Sequence, residues 1–199
     1  MTSLREQWRR SAMRTIQDRA LDLFDERGFS AVTIEQVAAA AGVSPSSVYR
    51  YFGTKEGLVV FDEFDLMGSD ALAKILDPAD PVDSLVRAVE RYEEAGRSGT
   101  STGDGSSGGG PWRRVRYFFT EPSVRMAVLA ALDRAAQRVA PMLAVEGGLS
   151  SSQARVAGSA VAFGYFAALE LWFQDGCSRP IAEYVDEGLR PLRAIWSKS

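Results

Sequence analysis

Hydroxyl and guanidinium groups are concentrated in a short stretch from Ser46 to Arg50. Ser46, Ser47 and Tyr49 supply hydroxyls, and Arg50 supplies a guanidinium. Arginine can hydrogen-bond a guanine edge through two N–H groups, serine can reach bases or phosphates, and tyrosine can hold a phosphate. At 100° per residue, Ser46 and Arg50 point away from the apolar Val48. The stretch therefore predicts a helix that lies in a major groove of DNA.

A first helix and a turn precede this stretch. Thr33 followed by Gln36 is the pattern of a capping box and marks a helix start. Gly42 marks its end, since glycine adopts positive φ at little cost. Between them, apolar residues recur at i, i+3, i+4 and i+7 and define one buried face. These residues are Ile34, Val37, Ala38 and Ala41.

The second helix has start signals of its own. Ser44 is placed as its N-cap, and Pro45 occupies the first helical position, where a missing N–H does no harm. Val48, Tyr51 and Phe52 converge on the opposite side from Arg50 and form the apolar back of the helix. Lys55 follows, where it could hold a backbone phosphate. A small helical hairpin with a solvated polar face is the alternative to DNA binding.

Residues 15–58 resemble the N-terminal domain of TetR-family transcriptional regulators. The matching features are AL-LF-ERGF, T-x-x-x-V-A, AGVS, VYRYF and KE-L, in order and at the family's spacing. The resemblance implies a three-helix, helix-turn-helix DNA-binding domain at 1–55 and a helical ligand-binding and dimerisation domain at 56–199. Its DNA-binding residues would be Thr33, Ser44, Pro45, Ser46, Ser47, Tyr49, Arg50 and Lys55.

The residue content argues against an enzyme. The chain has no histidine and a single cysteine, Cys177. It therefore cannot form a Ser-His-Asp triad, a Cys-His pair, a histidine metal site or an internal disulfide. We expect no catalytic residues, no metal and no cofactor.

Charge is distributed unevenly along the 199 residues, whose net charge is −3. Residues 1–55 carry eight Lys and Arg against six Asp and Glu, and the first 14 residues carry four Arg against one Glu. Positive charge is thus placed where DNA would bind. The longest charge-free apolar run, 156–169, is 14 residues long and is shorter than a membrane span. We expect a cytoplasmic protein with no membrane contact.

Apolar periodicity predicts an all-α chain of about nine helices. A fourth helix is expected from about Thr54 to Leu76, and in TetR-like proteins it links the two domains. Seven of the fifteen residues at 96–110 are glycine, which predicts a flexible loop. Its G-x-G-x-x-G pattern follows no strand and is rejected as a nucleotide site. The other helices are expected at about 4–28, 81–95, 122–144, 150–174 and from 180 onward, with a short amphipathic helix within 111–122.

Aromatic residues of the second domain favour a fairly apolar ligand, although each one could equally be a core residue. Arg113, Arg114 and Arg116 lie among them and could meet an anionic group on such a ligand. The candidate ligand-binding residues are Tyr92, Trp112, Phe118, Phe119, Met126, Phe163, Phe166 and Trp172.

The helix expected at 150–174 is apolar on two sides, which requires that both sides be buried. Val156, Ala160, Phe163, Ala167 and Leu171 lie on one side, and small residues lie on the other. A second subunit against the small residues would explain the pattern, and a central core helix would look similar. The expected homodimer interface is Ala157, Val161, Gly164, Ala168, Leu189, Leu192 and Trp196.

Taken with the resemblance, these patterns predict a ligand-responsive repressor that binds a palindromic DNA operator as a homodimer. The second helix has neither Asn nor Gln, which leaves Arg50 as the main base reader. A helical adaptor without specific DNA binding is the alternative. The effector and the operator sequence are not predicted.

Overall fold

The structure, a computed structural model, describes residues 4–61, 72, 74–98 and 113–193. The elements in these residues are nine α-helices and one 3-10 turn, Phe29–Ala31, with no strand, which confirms the all-α prediction. The helices are α1 Leu4–Arg27, α2 Ile34–Ala41, α3 Pro45–Phe52, α4 Gly57–Val60, α5 Pro81–Ser98, α6 Val115–Thr120, α7 Pro122–Val145, α8 Ser151–Gln174 and α9 Ile181–Arg193.

Helices α1 to α4 enclose a small apolar core. From α1, Met13, Ile16, Ala20 and Phe24 are buried at helical spacing. Phe24 packs edge-on against Phe29 of the 3-10 turn, with ring centres 4.9 Å apart. The apolar back of α3 completes this core through its two buried residues, Val48 and Phe52.

The turn between α2 and α3 is formed by the local signals in the sequence. The Thr33 hydroxyl accepts a hydrogen bond from the Gln36 amide, and the Gln36 side chain accepts one from the Thr33 amide. Gly42 ends α2 in the left-handed region, at φ 67°. Ser44 caps α3 by accepting the Ser47 amide at 3.2 Å. These caps fix the direction in which α3 leaves the turn.

The fourth helix differs from its prediction. Helix α4 ends at Val60, and Phe61 is extended at φ −61° and ψ 130°. A continuous helix from Thr54 to Leu76 is therefore wrong at Phe61, and residues 62–71 and 73 of that prediction lie outside the described residues. The residue at this point is neither proline nor glycine, so the sequence carries no local stop signal here.

Helices α5 to α9 form the body of the chain. Helices α7 and α8 pack along each other, and α9 packs on α8 and α5. Helix α5 extends to Ser98, so the first three residues of the predicted 96–110 loop are helical. The remainder of that loop, 99–110, lies outside the described residues.

The small side of α8 packs inside the subunit. Ala157, Ala168 and Leu189 are buried, and a Cβ added to Gly164 would meet the Leu189 side chain. The predicted dimer interface is therefore corrected. Val161 and Leu192 are half-buried and pack against the same core, and Trp196 lies outside the described residues. Close approach of α9, rather than of a second subunit, explains the small residues.

Among the described helices, α8 has the length and hydropathy of a membrane span. Its packing between α7 and α9 gives another reason for the same composition.

We predict that Gly57→Ala lowers the free energy of unfolding by about 1–3 kcal/mol. A Cβ at position 57 would overlap the carbonyl oxygen of Phe52, the last residue of α3. The control is Gly188→Ala in α9, where the added Cβ would make an ordinary 3.7 Å contact with Ala168. That variant should be as stable as the parent or more so, because alanine favours a helix over glycine. Urea unfolding of both variants measures the difference, and equal stabilities would contradict the expectation.

Candidate DNA-binding surface

The first turn of α3 presents a cluster of hydroxyl groups. The Ser44 hydroxyl lies 2.9 Å from the hydroxyls of both Ser46 and Ser47. Pro45 at the first helical position is exposed, as are Ser44 and Ser46, while Ser47 is half-buried. Because the Ser44 oxygen already caps the helix, Ser46 and Ser47 are the better placed of the three to contact a ligand.

The rest of the exposed face of α3 is made by Tyr49 and Arg50. Both are exposed, while Val48 between them and the hydroxyl turn is fully buried. The predicted division of α3 into an apolar back and a polar front is therefore present in the structure. A face of this width and chemistry can enter a major groove, with Arg50 as its hydrogen-bonding cation.

Tyr51 lies beside this face rather than wholly on its back. The Arg50 guanidinium lies 5.0 Å from the centre of the Tyr51 ring, and that of Arg9 in α1 lies 6.0 Å from it. Arg50 also donates a hydrogen bond to the Tyr51 hydroxyl at 3.4 Å. Both cations are held by the negative face of one ring. Sequence periodicity assigned Tyr51 to the core and missed this contact.

Thr33 is exposed, but its hydroxyl is used in the cap of α2. The next residue but one, Glu35, is an exposed carboxylate whose pKa is held below its usual range by its own amide and by the Thr33 hydroxyl. A fixed negative charge at this point repels phosphate. Thr33 is thus a weaker candidate for DNA contact than the residues of α3.

Lys55 is placed differently from its prediction. Its ammonium donates to the carbonyl oxygens of Phe29 at 2.9 Å and Val32 at 3.1 Å, and lies 4.4 Å from the centre of the Phe29 ring. These carbonyls belong to the connection between α1 and α2. Lys55 therefore ties that connection to the start of α4, and its assignment to a DNA phosphate is corrected.

A charged contact joins α1 to the segment around α6. Asp25 accepts hydrogen bonds from Arg113, Arg116 and the Tyr117 hydroxyl. Arg113 also donates to Asp22 at 2.8 Å. Burial raises the pKa of the Tyr117 phenol, which keeps the hydroxyl protonated and able to donate. We call these five residues the α1–α6 junction.

The arginines at 113, 114 and 116 bind groups of the N-terminal helices. Arg113 and Arg116 were candidates to meet an anionic ligand, and the structure places them on α1 carboxylates instead. Arg114 donates to the Phe61 carbonyl at 2.8 Å, and Gln17 of α1 donates to the same oxygen at 2.9 Å. Two side-chain donors thus bind the carbonyl of the residue that follows α4 and stabilise the chain where the helix ends.

Aromatic rings fill the space behind α6. Phe119 lies between Phe166 and Phe173, with ring centres 5.2 and 5.4 Å away. The Arg125 guanidinium lies 5.1 Å from the Phe166 ring and pairs with Glu170 at 2.9 Å. We call Phe118, Phe119, Phe166 and Phe173 the aromatic cluster.

The predicted ligand residues do not surround one cavity in the described part of the chain. Phe118, Phe166 and Trp172 are buried, and Phe119 is half-buried. Met126 is 67% exposed, and Tyr92 and Phe163 are also exposed. Trp112 lies outside the described residues. A surface cleft of about 750 Å³ is formed instead by α7 and α8, and its lining is Gln137, Ala140, Pro141, Ala144, Val145, Ser151 and Arg155.

Within the described ranges, no three metal-ligating side chains gather into one group.

The structure thus defines a helix-turn-helix domain with an exposed reading helix on an all-helical body. Residues 16–60 match the family described as bacterial regulatory proteins, tetR family. This N-terminal segment is thus similar to the DNA-binding domain of that family, which confirms the resemblance predicted from the sequence motifs.

Named relatives match in the same region. The HTH-type transcriptional regulator BetI of Rhizobium meliloti is 34% identical over 87 residues, which are 41% of this chain and 43% of BetI. The HTH-type transcriptional repressor Rv3405c of Mycobacterium tuberculosis is 40% identical over 73 residues, 37% of this chain and 38% of that protein. The chain thus matches less than half the length of these relatives. Both are named as transcriptional regulators, which is a non-enzymatic class.

Solved structures share the fold over nearly the whole length. NalD, a repressor of a multidrug efflux pump in Pseudomonas aeruginosa, has a TM-score of 0.52 at 19% identity and covers 92% of this chain and 95% of its own. FadR of Bacillus halodurans, a fatty acid degradation regulator, has a TM-score of 0.54 at 16% identity, with coverages of 93% and 94%. The structural likeness therefore includes the body, helices α5 to α9, as well as the N-terminal domain.

We predict that Asp25→Asn lowers the free energy of unfolding by about 1–2 kcal/mol, because it weakens three charged or polar contacts in a partly exposed junction. Glu26→Gln is the matched control, since Glu26 is an exposed carboxylate on the same helix. Urea unfolding measures both. Equal midpoints for the two variants would show that the junction contributes nothing to stability.

Proposed function

We propose that the protein is a transcriptional repressor that binds a palindromic DNA operator as a homodimer and leaves it when a fairly apolar small molecule binds. It acts in the cytoplasm, without a cofactor and apart from membranes. The observation that carries the proposal is the exposed polar face of α3, where Ser46, Tyr49 and Arg50 are exposed, Ser47 is half-buried and Val48 is buried behind them.

The chemistry of this face favours duplex DNA over a protein partner. Arg50 suits the two acceptors of a guanine edge in the major groove, and hydroxyls suit phosphates or bases. The Ser44 cap orders the first turn of α3 before DNA binds, which reduces the entropy lost when the helix enters the groove. A single helix of eight residues reads few base pairs. Useful specificity therefore needs a second copy at the next turn of the duplex.

The exposed side of α8 supports a homodimer and replaces the interface predicted from sequence. Its stripe is apolar for most of the helix, and Val156 and Leu171 near the two ends are 68% and 57% exposed. Single exposed apolar residues are common, but a continuous stripe marks a contact. Two stripes related by a twofold axis would cover each other. The stripe consists of Val156, Ala160, Phe163, Ala167 and Leu171.

A twofold pair places its reading helices about 34–36 Å apart for binding to successive major grooves. A ligand that prefers a different separation weakens DNA binding, and DNA weakens ligand binding by the same factor. Helix α6 is suited to couple the two events. Tyr117 contacts Asp25 of the DNA-binding domain, while Phe118 and Phe119 belong to the aromatic cluster. A ligand inserted among these rings would displace α6 and, with it, the α1–α6 junction.

We predict that Arg50→Ala weakens binding to the operator by at least about thirtyfold, since each lost arginine–guanine contact costs about 1–3 kcal/mol and a dimer loses two. The operator is first selected from random duplexes with the parent protein. Binding is then measured by mobility shift on that duplex and on a scrambled one. Tyr49→Ala should also abolish the specific complex through loss of a backbone contact.

Arg50→Lys is the matched control for charge. It keeps the cation but loses the planar fork, so it should retain binding to scrambled DNA and lose preference for the operator. Failure of the parent to enrich any sequence would favour a helical adaptor without specific DNA binding. Unchanged operator affinity of both Arg50→Ala and Tyr49→Ala would place the reading surface elsewhere.

We predict that Ala167→Glu dissociates the dimer at micromolar concentration, because it places two carboxylates in one apolar contact. Ala130→Glu on α7 is the control, since Ala130 is also an exposed helical alanine. Analytical ultracentrifugation should show a monomer for the first variant and a dimer for the second. A monomeric parent protein, or an Ala167→Glu variant that stays dimeric, would contradict the interface.

A further inference from the structure

The first three turns of α1 stand apart from the core of the DNA-binding domain. Burial on α1 begins at Met13, while Leu4 and Trp8 are 75% and 76% exposed. Tryptophan is enriched at interfaces, where its ring contributes a large contact area. The family match begins at residue 16, so these turns lie outside the region on which the family assignment rests.

The position of these turns relative to α3 is set by Arg9. Its guanidinium and that of Arg50 both face the ring of Tyr51, at 6.0 and 5.0 Å from the ring centre. Arg9 therefore lies next to the reading helix, close to its C-terminal end. When a helix lies in a major groove, the groups just outside it meet the sugar–phosphate walls of the groove. Arg9 is accordingly placed at a wall of the groove that α3 reads.

Charge complementarity identifies the partner. The first 14 residues carry four Arg and one Glu in a chain whose net charge is −3. Such a concentration of arginine suits the phosphates of DNA, and tryptophan packs well on the flat faces of sugars and bases. The proposed function already brings a duplex to the adjacent face.

We propose that residues 4–14 form a second DNA contact, in which Arg9 binds a backbone phosphate and Trp8 packs on the sugar–phosphate wall beside the groove read by α3. The contact rests on the proposed function for its DNA, and it adds affinity without adding sequence preference. Arg50 selects the sequence, and this segment holds the protein on the duplex.

The salt dependence of binding tests Arg9. Kd is measured by fluorescence anisotropy on the selected operator and on a scrambled duplex over a series of salt concentrations. One phosphate contact contributes about 0.9 to the slope of log K against log salt. The dimer carries two copies of Arg9, so Arg9→Gln should lower the slope by about 1.8 and weaken both complexes about sixtyfold at 0.1 M salt. Arg9→Lys should keep the slope.

The control for overall charge is Arg134→Gln, an exposed arginine of α7. It makes the same change in net charge and should leave the slope as it is. A role of Arg9 only in supporting Tyr51 and Arg50 would change the ratio of operator to scrambled affinity. That result, or an unchanged slope in Arg9→Gln, would overturn the phosphate contact.

Tryptophan emission tests Trp8 directly. DNA should change the emission of the parent protein, and this change should be largely lost in Trp8→Phe. The change should persist in Arg134→Gln. Loss of dimer in Trp8→Phe by ultracentrifugation would identify a second subunit as the partner and overturn the DNA contact. An emission change that persists in Trp8→Phe would also overturn the DNA contact.

These outcomes separate the two proposals. If the parent binds its operator and Arg50→Ala does not, the proposed function stands whatever the slope of Arg9→Gln. If the parent selects no sequence, the proposed function fails. In that case an Arg9-dependent slope on the scrambled duplex would still establish the second contact.

Discussion

The carboxylate of Asp25 is the constraint on which the arrangement of the two domains depends. It lies on α1, which supplies much of the core of the DNA-binding domain, and it accepts hydrogen bonds from Arg113, Arg116 and Tyr117 around α6. The nearby Phe61 carbonyl accepts from Gln17 and Arg114, one donor from each domain. Directional contacts of this kind define an orientation more narrowly than apolar packing alone, because each donor must point at its acceptor.

Local signals made the helix-turn-helix predictable. Thr33 with Gln36, Gly42, and Ser44 with Pro45 each act within a few residues, so their effect on the backbone can be read without knowing the fold. The same is true of Val48 and Phe52, whose spacing defines a buried side. The exposed face of α3 followed from these features, and the structure presents it as expected.

Long-range contacts could not be predicted in this way. Arg113 and Asp25 are 88 residues apart, and the local sequence around either residue does not indicate that the two form a pair. Lys55 looked like a phosphate ligand because its position suits one, yet carbonyls of the α1–α2 connection hold it. The two apolar sides of α8 were visible in its periodicity, but α9 covers the side with small residues, which only the packed structure reveals. Phe61 follows the end of α4, and side chains distant in sequence donate to its carbonyl.

The hydroxyl cluster at the start of α3 has a consequence for the kind of DNA site that suits this protein. A serine hydroxyl can donate or accept, and rotation about one bond exchanges the two roles. Ser46 and Ser47 can therefore adjust to several base edges, whereas the guanidinium of Arg50 only donates. Binding sites should vary at the positions that face the serines and be strict at one guanine. A regulator that accepts variation at some positions and requires one guanine can bind several promoters whose sequences are related but not identical.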